Sequence, residues 1–411
     1  MVADGWEAVA ERFRSNFAEF DEAGAACAVY ADGVPVVDLW GGVADRRTGA
    51  PWSKDTVVNV FSTTKGAAAI CVHLLVERGA IDLEAPLARY WPEFGAAGKE
   101  DIKVRWVLAH QAGLPELEVP VTIEEACAGT PVLEALERQR PAWAPGQEWD
   151  YHGITLGYLL GELVRRVTGK TLGQFFAAEV AEPLGLDAWI GLPEAVAPRV
   201  AHLEEPHPPG VQETLDLLLA RLDPRGDAYS EVAKAEVRAT LWKEGPLRGL
   251  GCAFPQLVTE DGGFNDPRVW AAEMPAINMI ADARSLARLY ASVIGEVDGV
   301  RLLRAETVEA MCVEQTAAAT LHGYEPGSEA EEIAAAFMGR FSLGLMVESM
   351  RMPLPGPRSF GHTGAGGSVA GADPDTGIAV AYVVNRMGSE LIDPRATGLM
   401  ATVSECAANR G

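Results

Sequence analysis

Ser62-Thr63-Thr64-Lys65 places a serine and a lysine three residues apart, directly before the apolar run Gly66 to Arg78. Residues three apart share one face of a helix, so Lys65 is expected to project beside the Ser62 hydroxyl. A serine hydroxyl is a poor nucleophile until something takes its proton. A lysine in a partly desolvated cleft loses part of its preference for the charged form and can act as that base. The helix N-terminus adds free backbone N–H groups and a partial positive charge where an oxyanion would form.

Two further motifs follow. Pro145-Gly146-Gln147-Glu148-Trp149-Asp150-Tyr151-His152-Gly153 precedes a helical run. Tyr151 falls in a loop, where its phenol can face a cleft. Beside a lysine ammonium its pKa would fall, and a tyrosinate or shared proton could serve as general base and then acid. Phe360-Gly361-His362-Thr363-Gly364-Ala365-Gly366-Gly367-Ser368 opens as a strand and becomes glycine-rich. Glycines admit a close-passing backbone or ligand, and a strand edge beside the nucleophile can supply an oxyanion-hole N–H. A phosphate-binding loop would need a helix N-terminus after the glycines, whereas a strand-like run follows.

The elements that must position these residues read as follows. The first twenty residues form an amphipathic helix. Ala26–Tyr30 and Val34–Trp40 flank Ala31-Asp32-Gly33 as a hairpin. Ser62 opens a helix ending near Gly79. Val104 to His110 is a short helix stopped at Gln111-Ala112-Gly113-Leu114-Pro115. The pattern is then mostly helical to about residue 275, with Leu156 to Thr168 amphipathic and stopped by Gly169. Ala201–Gly210 reads as a Pro- and His-rich surface loop. Ala281 to Ile294 is helical, and Glu325 to Glu332 reads as a mobile acidic loop. Phe341–Glu348, Ser359–Ala372 and Gly377–Asn385 read as antiparallel strands. The expected fold is α/β (α+β): an antiparallel sheet built from both chain ends and flanked by helices, with a helical insertion. Residues 1–85 and 276–411 would form the sheet-bearing domain and 86–275 the helical one, with the active site in the cleft between them.

Composition narrows the partners. The chain has 411 residues, 48% hydrophobic and 22% charged, with net charge −24, a globular balance. That charge repels nucleic acid and anionic lipid. The N-terminus carries early acidic residues and no apolar core, unlike a secretory leader, and no window reaches membrane-spanning length. The expected location is the cytoplasm. The six cysteines have no C-x-x-C spacing and read as small buried residues.

The order S-x-x-K, loop tyrosine and H-T-G strand resembles the serine β-lactamase and penicillin-binding-protein superfamily, most closely the class C β-lactamase-related esterases called family VIII carboxylesterases. Leu108-Ala109-His110-Gln111-Ala112-Gly113-Leu114-Pro115 is similar to the family's L-x-H-x-x-G-L-P segment. Gly157 to Gly161, Val167-Thr168-Gly169 and Glu182 to Leu186 also match, so the resemblance covers nearly the whole chain. It implies a β-lactamase/transpeptidase-like fold and a β-lactamase-like serine hydrolase. Ser62 would be nucleophile, Lys65 its partner, and Tyr151 would share the base role and protonate the leaving group. The backbone N–H groups of Ser62 and Ala365 would form the oxyanion hole. His362, Thr363 and Gly364 would line the substrate site, as would His152 and Gly153. No cofactor is implied.

Two departures bear on the substrate. Class C β-lactamases carry Y-x-N, whereas Gly153 stands at the third position here. They also carry a lysine where this chain has His362, which is mostly neutral at pH 7. Both favour an uncharged ester over an anionic β-lactam. Gly366-Gly367-Ser368-Val369-Ala370 lacks the spacing and strand-to-helix turn of a G-x-S-x-G nucleophile, so Ser368 reads as structural. His73 reads as core, His110 as a helix end bonded to loop backbone, and His202, His207 and His322 as surface residues. No H-x-x-x-H or H-E-x-x-H spacing suggests a metal. The leading expectation is a serine carboxylesterase acting on small or medium acyl esters through a Ser62 acyl-enzyme. Its rivals are an acyltransferase acting on a natural-product alcohol, a β-lactamase or D-amino-acid peptidase, and a silent scaffold. The oligomeric state is left open, a homodimer included.

Overall fold

The protein is described from a computed structural model covering residues 1–204, 228–244, 262–352, 354–388 and 392–410. The loop expected at 201–210 lies outside the described residues from 205 onward, as do His207 and Cys252.

A seven-stranded antiparallel sheet joins the two ends of the chain. Its order runs Ala50–Pro51, Val34–Asp45, Gly24–Ala31, Ile378–Val384, Val369–Asp373, Phe360–Thr363, Met346–Val347. The hairpin turns at Asp32-Gly33, both with positive φ. Gly24–Ala31 pairs with the last strand in the register Val29 to Val380.

Alternation decides which face each side chain meets. Ala26, Ala28 and Tyr30 pack on one side with the Ala283–Ile294 helix; Ala25, Cys27 and Val29 pack on the other with Trp6, Val9 and Phe13. The Glu7–Glu19 and Pro394–Ala408 helices cover that second face. Both faces are therefore dry, and the two central strands are buried along their whole length, which explains their unbroken apolar sequence.

The Thr64–Glu77 helix runs through the centre, buried from Thr64 to Leu75. Its small residues Gly66 to Ala69 let neighbours close in. A Cβ at Gly66 would lie 2.0 Å from Tyr290 Oη. Among the described residues, the segment between it and the closing strands carries several helices, including Thr155–Thr168, which ends at left-handed Gly169. Buried Lys99 ties this region together by donating to the carbonyls of Ala96 (2.8 Å), Glu137 (3.0 Å) and Gln139 (2.6 Å).

Two expectations need correction. Glu325 to Glu332 is not wholly a loop: Glu329–Met338 is a helix capped by Ser328, whose Oγ accepts from Glu331 N. Phe341 to Glu348 is strand only at Met346–Val347, because Gly344 turns the chain with positive φ. Among the described residues no helix is long and apolar enough to cross a membrane.

Candidate active site

Ser62 sits in a single 3₁₀ turn, Phe61–Thr63, that leads into the central helix. The entry is sharp. Phe61 has φ +47°, a left-handed conformation that costs an L-residue roughly 1–2 kcal/mol. Asn59 holds it by accepting Phe61 N at 2.8 Å, and Thr64 Oγ1 donates to Phe61 O at 2.5 Å. Thr64 Oγ1 in turn accepts from Met279 N at 3.0 Å.

Lys65 is fully buried. Its Nζ lies 3.0 Å from Ser62 Oγ, 2.7 Å from Gly153 O and 3.0 Å from Ala276 O. The two carbonyls can only accept. A neutral amine has two N–H groups, which these carbonyls use up, so its lone pair is left facing the Ser62 hydroxyl. Burial, reinforced by the nearby Arg351 charge, lowers the Lys65 pKa well below its ordinary value. The geometry accommodates such an amine, and the electrostatics favour one able to take the serine proton.

Tyr151 lies against this pair, its ring centroid 4.8 Å from Lys65 Nζ. Its Oη is buried and makes no hydrogen bond of normal geometry. The expected fall in its pKa does not occur. Burial pushes the phenol up to about 12, against the smaller opposing pulls of Arg351 and the Ser62 hydroxyl. Lys65, the cation expected beside the ring, is itself pushed toward the neutral form by burial. Tyr151 is thus a neutral phenol that can donate a proton.

The loop carrying Tyr151 is locked by the 108–115 segment. His110 closes its short helix with φ +61°, and its Nδ1 accepts from His152 N at 3.0 Å. His152 is buried with both ring nitrogens engaged: Nδ1 donates to Asp150 O (2.7 Å) and Nε2 accepts from Leu114 N (3.0 Å). The structure therefore places His152 behind Tyr151, with no ring nitrogen left to face a substrate. Gly153 meets the site through its carbonyl, on Lys65. Phe341 stacks on the Tyr151 ring at 5.5 Å.

The closing wall is the Phe360–Thr363 strand. A Cβ at Gly364 would lie 2.2 Å from Val60 O, so a glycine is what lets the strand end approach the nucleophile turn. His362 is buried; its Nδ1 donates to Thr363 O at 2.7 Å, leaving Nε2 as an unpartnered acceptor. Burial, reinforced by the Arg351 charge, holds its pKa well below the usual imidazole range. Thr363 Oγ1 meets Met346 Sδ at 3.4 Å. Among the described residues neither the Ser62 nor the Ala365 amide has a protein acceptor. Ser368 is buried, and its carbonyl accepts from Gly364 N at 2.6 Å.

Arg351 was not singled out by its sequence context. Its guanidinium carbon lies 5.8 Å from the Tyr151 ring centroid, Nη1 donates to Met338 O at 2.8 Å, and Nε is buried without a partner. The available signal was an arginine flanked by methionines, with no acid in the stretch to Arg358. Of the other histidines, His73 is core, bonded to Leu343 O at 2.9 Å. His322 is half-buried and pairs with Glu148 at 2.7 Å.

Known proteins resemble this chain across most of their length. The chain is 37% identical over 388 residues to the esterase/beta-lactamase LipL of Mycobacterium tuberculosis, covering 93% of this chain and 82% of that one. A family VIII carboxylesterase crystal structure superposes with a TM-score of 0.78 at 31% identity, covering 99% of this chain and 98% of that one. EstA from Arthrobacter nitroguajacolicus Rue61a gives 0.77 at 29% identity, with coverage of 99% and 98%. The Beta-lactamase family matches residues 13–404, and the chain belongs to that family.

Proposed function

We propose that this protein is a serine hydrolase that cleaves carboxylic esters of small or medium acyl groups through an acyl-enzyme on Ser62. The observation that carries this reading is the buried Lys65, whose N–H groups are absorbed by two carbonyls while Nζ stands 3.0 Å from Ser62 Oγ. Lys65 takes the hydroxyl proton as Oγ bonds to the ester carbonyl carbon. The carbonyl oxygen becomes an oxyanion held by the Ser62 and Ala365 amides. The proton gained by Lys65 is matched by one delivered from the neutral Tyr151 to the departing alkoxide, and Tyr151 is reprotonated from Lys65. Water then attacks the acyl carbon, gives its proton back through the same pair, and releases the acid and Ser62. The site needs no cofactor in this scheme. Residues 1–85 with 276–411, and 86–275, are read as the two lobes lining it. A cytoplasmic setting is part of the proposal and is supported by the described cysteines being free thiols.

One observation favours a second reading. Arg351 supplies the permanent cation that His362 does not, which suits an anionic β-lactam or peptide better than the sequence alone suggested. Nitrocefin turnover tests it.

The test of the main reading is intact-mass analysis after a fluorophosphonate, with p-nitrophenyl acetate and butyrate turnover, for wild type and Ser62→Ala. One adduct and ester turnover in the wild type are expected. Ser62→Ala should lose the adduct and about 10⁴-fold or more in kcat. An adduct that persists in Ser62→Ala would move the nucleophile elsewhere.

A further inference from the structure

The loop that presents the Ala365 amide rests on a buried ionic knot. Arg395, Asp393 and Glu22 have side chains only 4%, 4% and 0% exposed. A guanidinium has five N–H donors in a fixed plane, and here all of them are engaged. Nε donates to Asp393 Oδ1 at 3.0 Å and Nη2 to Oδ2 at 2.6 Å. Nη1 donates to Glu22 Oε1 and Oε2 at 3.0 and 2.9 Å and to Arg386 O at 3.0 Å. The remaining Nη2 donor reaches Gly366 O at 2.8 Å. Gly366 O also accepts from Gly388 N at 2.8 Å. The knot is braced from behind, where Tyr382 Oη donates to Glu22 Oε2 at 2.6 Å and Asn16 Nδ2 donates to Tyr382 Oη at 3.2 Å.

Sterics close the opposite direction. Gly366 and Gly367 have φ of +84° and +113°. A Cβ would lie 2.8 Å from Met387 at the first and 2.5 Å from Asp393 Oδ2 at the second. The loop thus lies flush on the knot and cannot move inward, while two hydrogen bonds to one carbonyl keep it from moving outward. A buried ion cluster is weak as a stabilising device, since desolvation offsets much of its attraction. Its geometric definition is what an oxyanion donor requires: a misplacement of about 1 Å can cost about 10²-fold in rate.

We propose that Arg395, held by Asp393 and Glu22, is a positioning residue that sets the 364–368 loop and so aims the Ala365 N–H at the oxyanion. This rests on the esterase reading above.

The test compares wild type, Arg395→Lys, Asp393→Asn and, as a destabilised control remote from the loop, Lys99→Met. Each is titrated with a fluorophosphonate to count working sites. Then kcat, KM and the affinity for phenylboronic acid, whose tetrahedral adduct places an oxygen in the hole, are measured. Lysine keeps the charge but cannot reach both carboxylates and Gly366 O. Arg395→Lys should lower kcat per titrated site by about 10- to 100-fold with KM within about threefold, and weaken the boronate by a similar factor. Asp393→Asn should move both in the same direction by less, and it decides the matter if Arg395→Lys does not fold. Lys99→Met should lower Tm alone. Wild-type kcat and boronate affinity in the Arg395 and Asp393 variants, with only Tm reduced, would overturn the positioning role. A wild type without a Ser62 adduct would instead overturn the esterase reading, and this role with it.

Discussion

Two lysines of this protein are equally inaccessible to water, and they have opposite characters. Lys99 and Lys65 are both fully buried and each is within hydrogen-bond distance of three oxygens. Around Lys99 all three are backbone carbonyls, which can only accept and so match the three protons of an ammonium. Glu118, Glu137 and Glu100 add negative charge that offsets part of the burial effect. Around Lys65 one carbonyl is replaced by a hydroxyl, which can donate, and the neighbouring charge is the cation of Arg351. Burial depresses both pKa values, but only around Lys65 can one of the three partners reverse its role and donate, and only there is the neighbouring charge positive. One hydroxyl in place of a carbonyl and one neighbouring charge of opposite sign separate a base from a structural cation.

The sharpest break of this comparison is a matched pair of substitutions. Lys65→Met should lower kcat on p-nitrophenyl butyrate by about 10³-fold or more while leaving a folded protein. Lys99→Met should leave kcat per fluorophosphonate-titrated site unchanged. It strands three buried carbonyls and should cost about 2–4 kcal/mol in urea unfolding. Equal losses of activity in both would dissolve the distinction.

Tyr151→Phe comes next. It should reduce kcat by about 10²- to 10³-fold. Because Tyr151 Oη makes no hydrogen bond of normal geometry, Tm should be unchanged or higher, as calorimetry can check. A large loss of stability would mean that the phenol has a structural partner.

The pH profile sharpens the role of Arg351. Acylation needs neutral Lys65, so kcat/KM should fall as pH drops through the depressed Lys65 pKa. Tyr151, at about 12, should set no alkaline limb in the working range. His110 and His362 face the same space and are held neutral by burial. Removing the Arg351 charge raises the Lys65 pKa, so Arg351→Met should move the acid limb to higher pH. The same depressed pKa makes folding stability rise with pH between the folded value and the usual 10.5, because there the unfolded chain binds the extra proton.

The smallest effect is expected at Gly153. A Cβ there would lie 3.6 Å from Tyr151 Cε1, ordinary contact. Gly153→Asn should therefore fold normally and change p-nitrophenyl ester turnover by about threefold or less, since the Lys65 contact is made by the backbone. A collapse of activity would show that the residue 153 side chain intrudes on the site.

The legible part of this protein was local. Ser62 and Lys65 are a single turn apart, the Asp32-Gly33 hairpin is set by its turn residues, and the helix stop at Gly169 needs a left-handed residue. Each is dictated within a few residues, where spacing and backbone sterics act. The helix at Glu329–Met338 was also readable, because Ser328 and Glu331 form a capping pair, but Pro326 and Gly327 drew the reading toward a loop. Other features were beyond such reasoning. Gly153 and Ala276 reach Lys65 across 88 and 211 residues. Arg351 reaches Tyr151 from a distant turn, and Glu22 reaches Arg395 across 373 residues. The sequence by itself determined which chemical groups are present and which local turns carry them. Only the tertiary structure decided their protonation, since a pKa depends on burial and on charges that the fold, not the chain order, brings near.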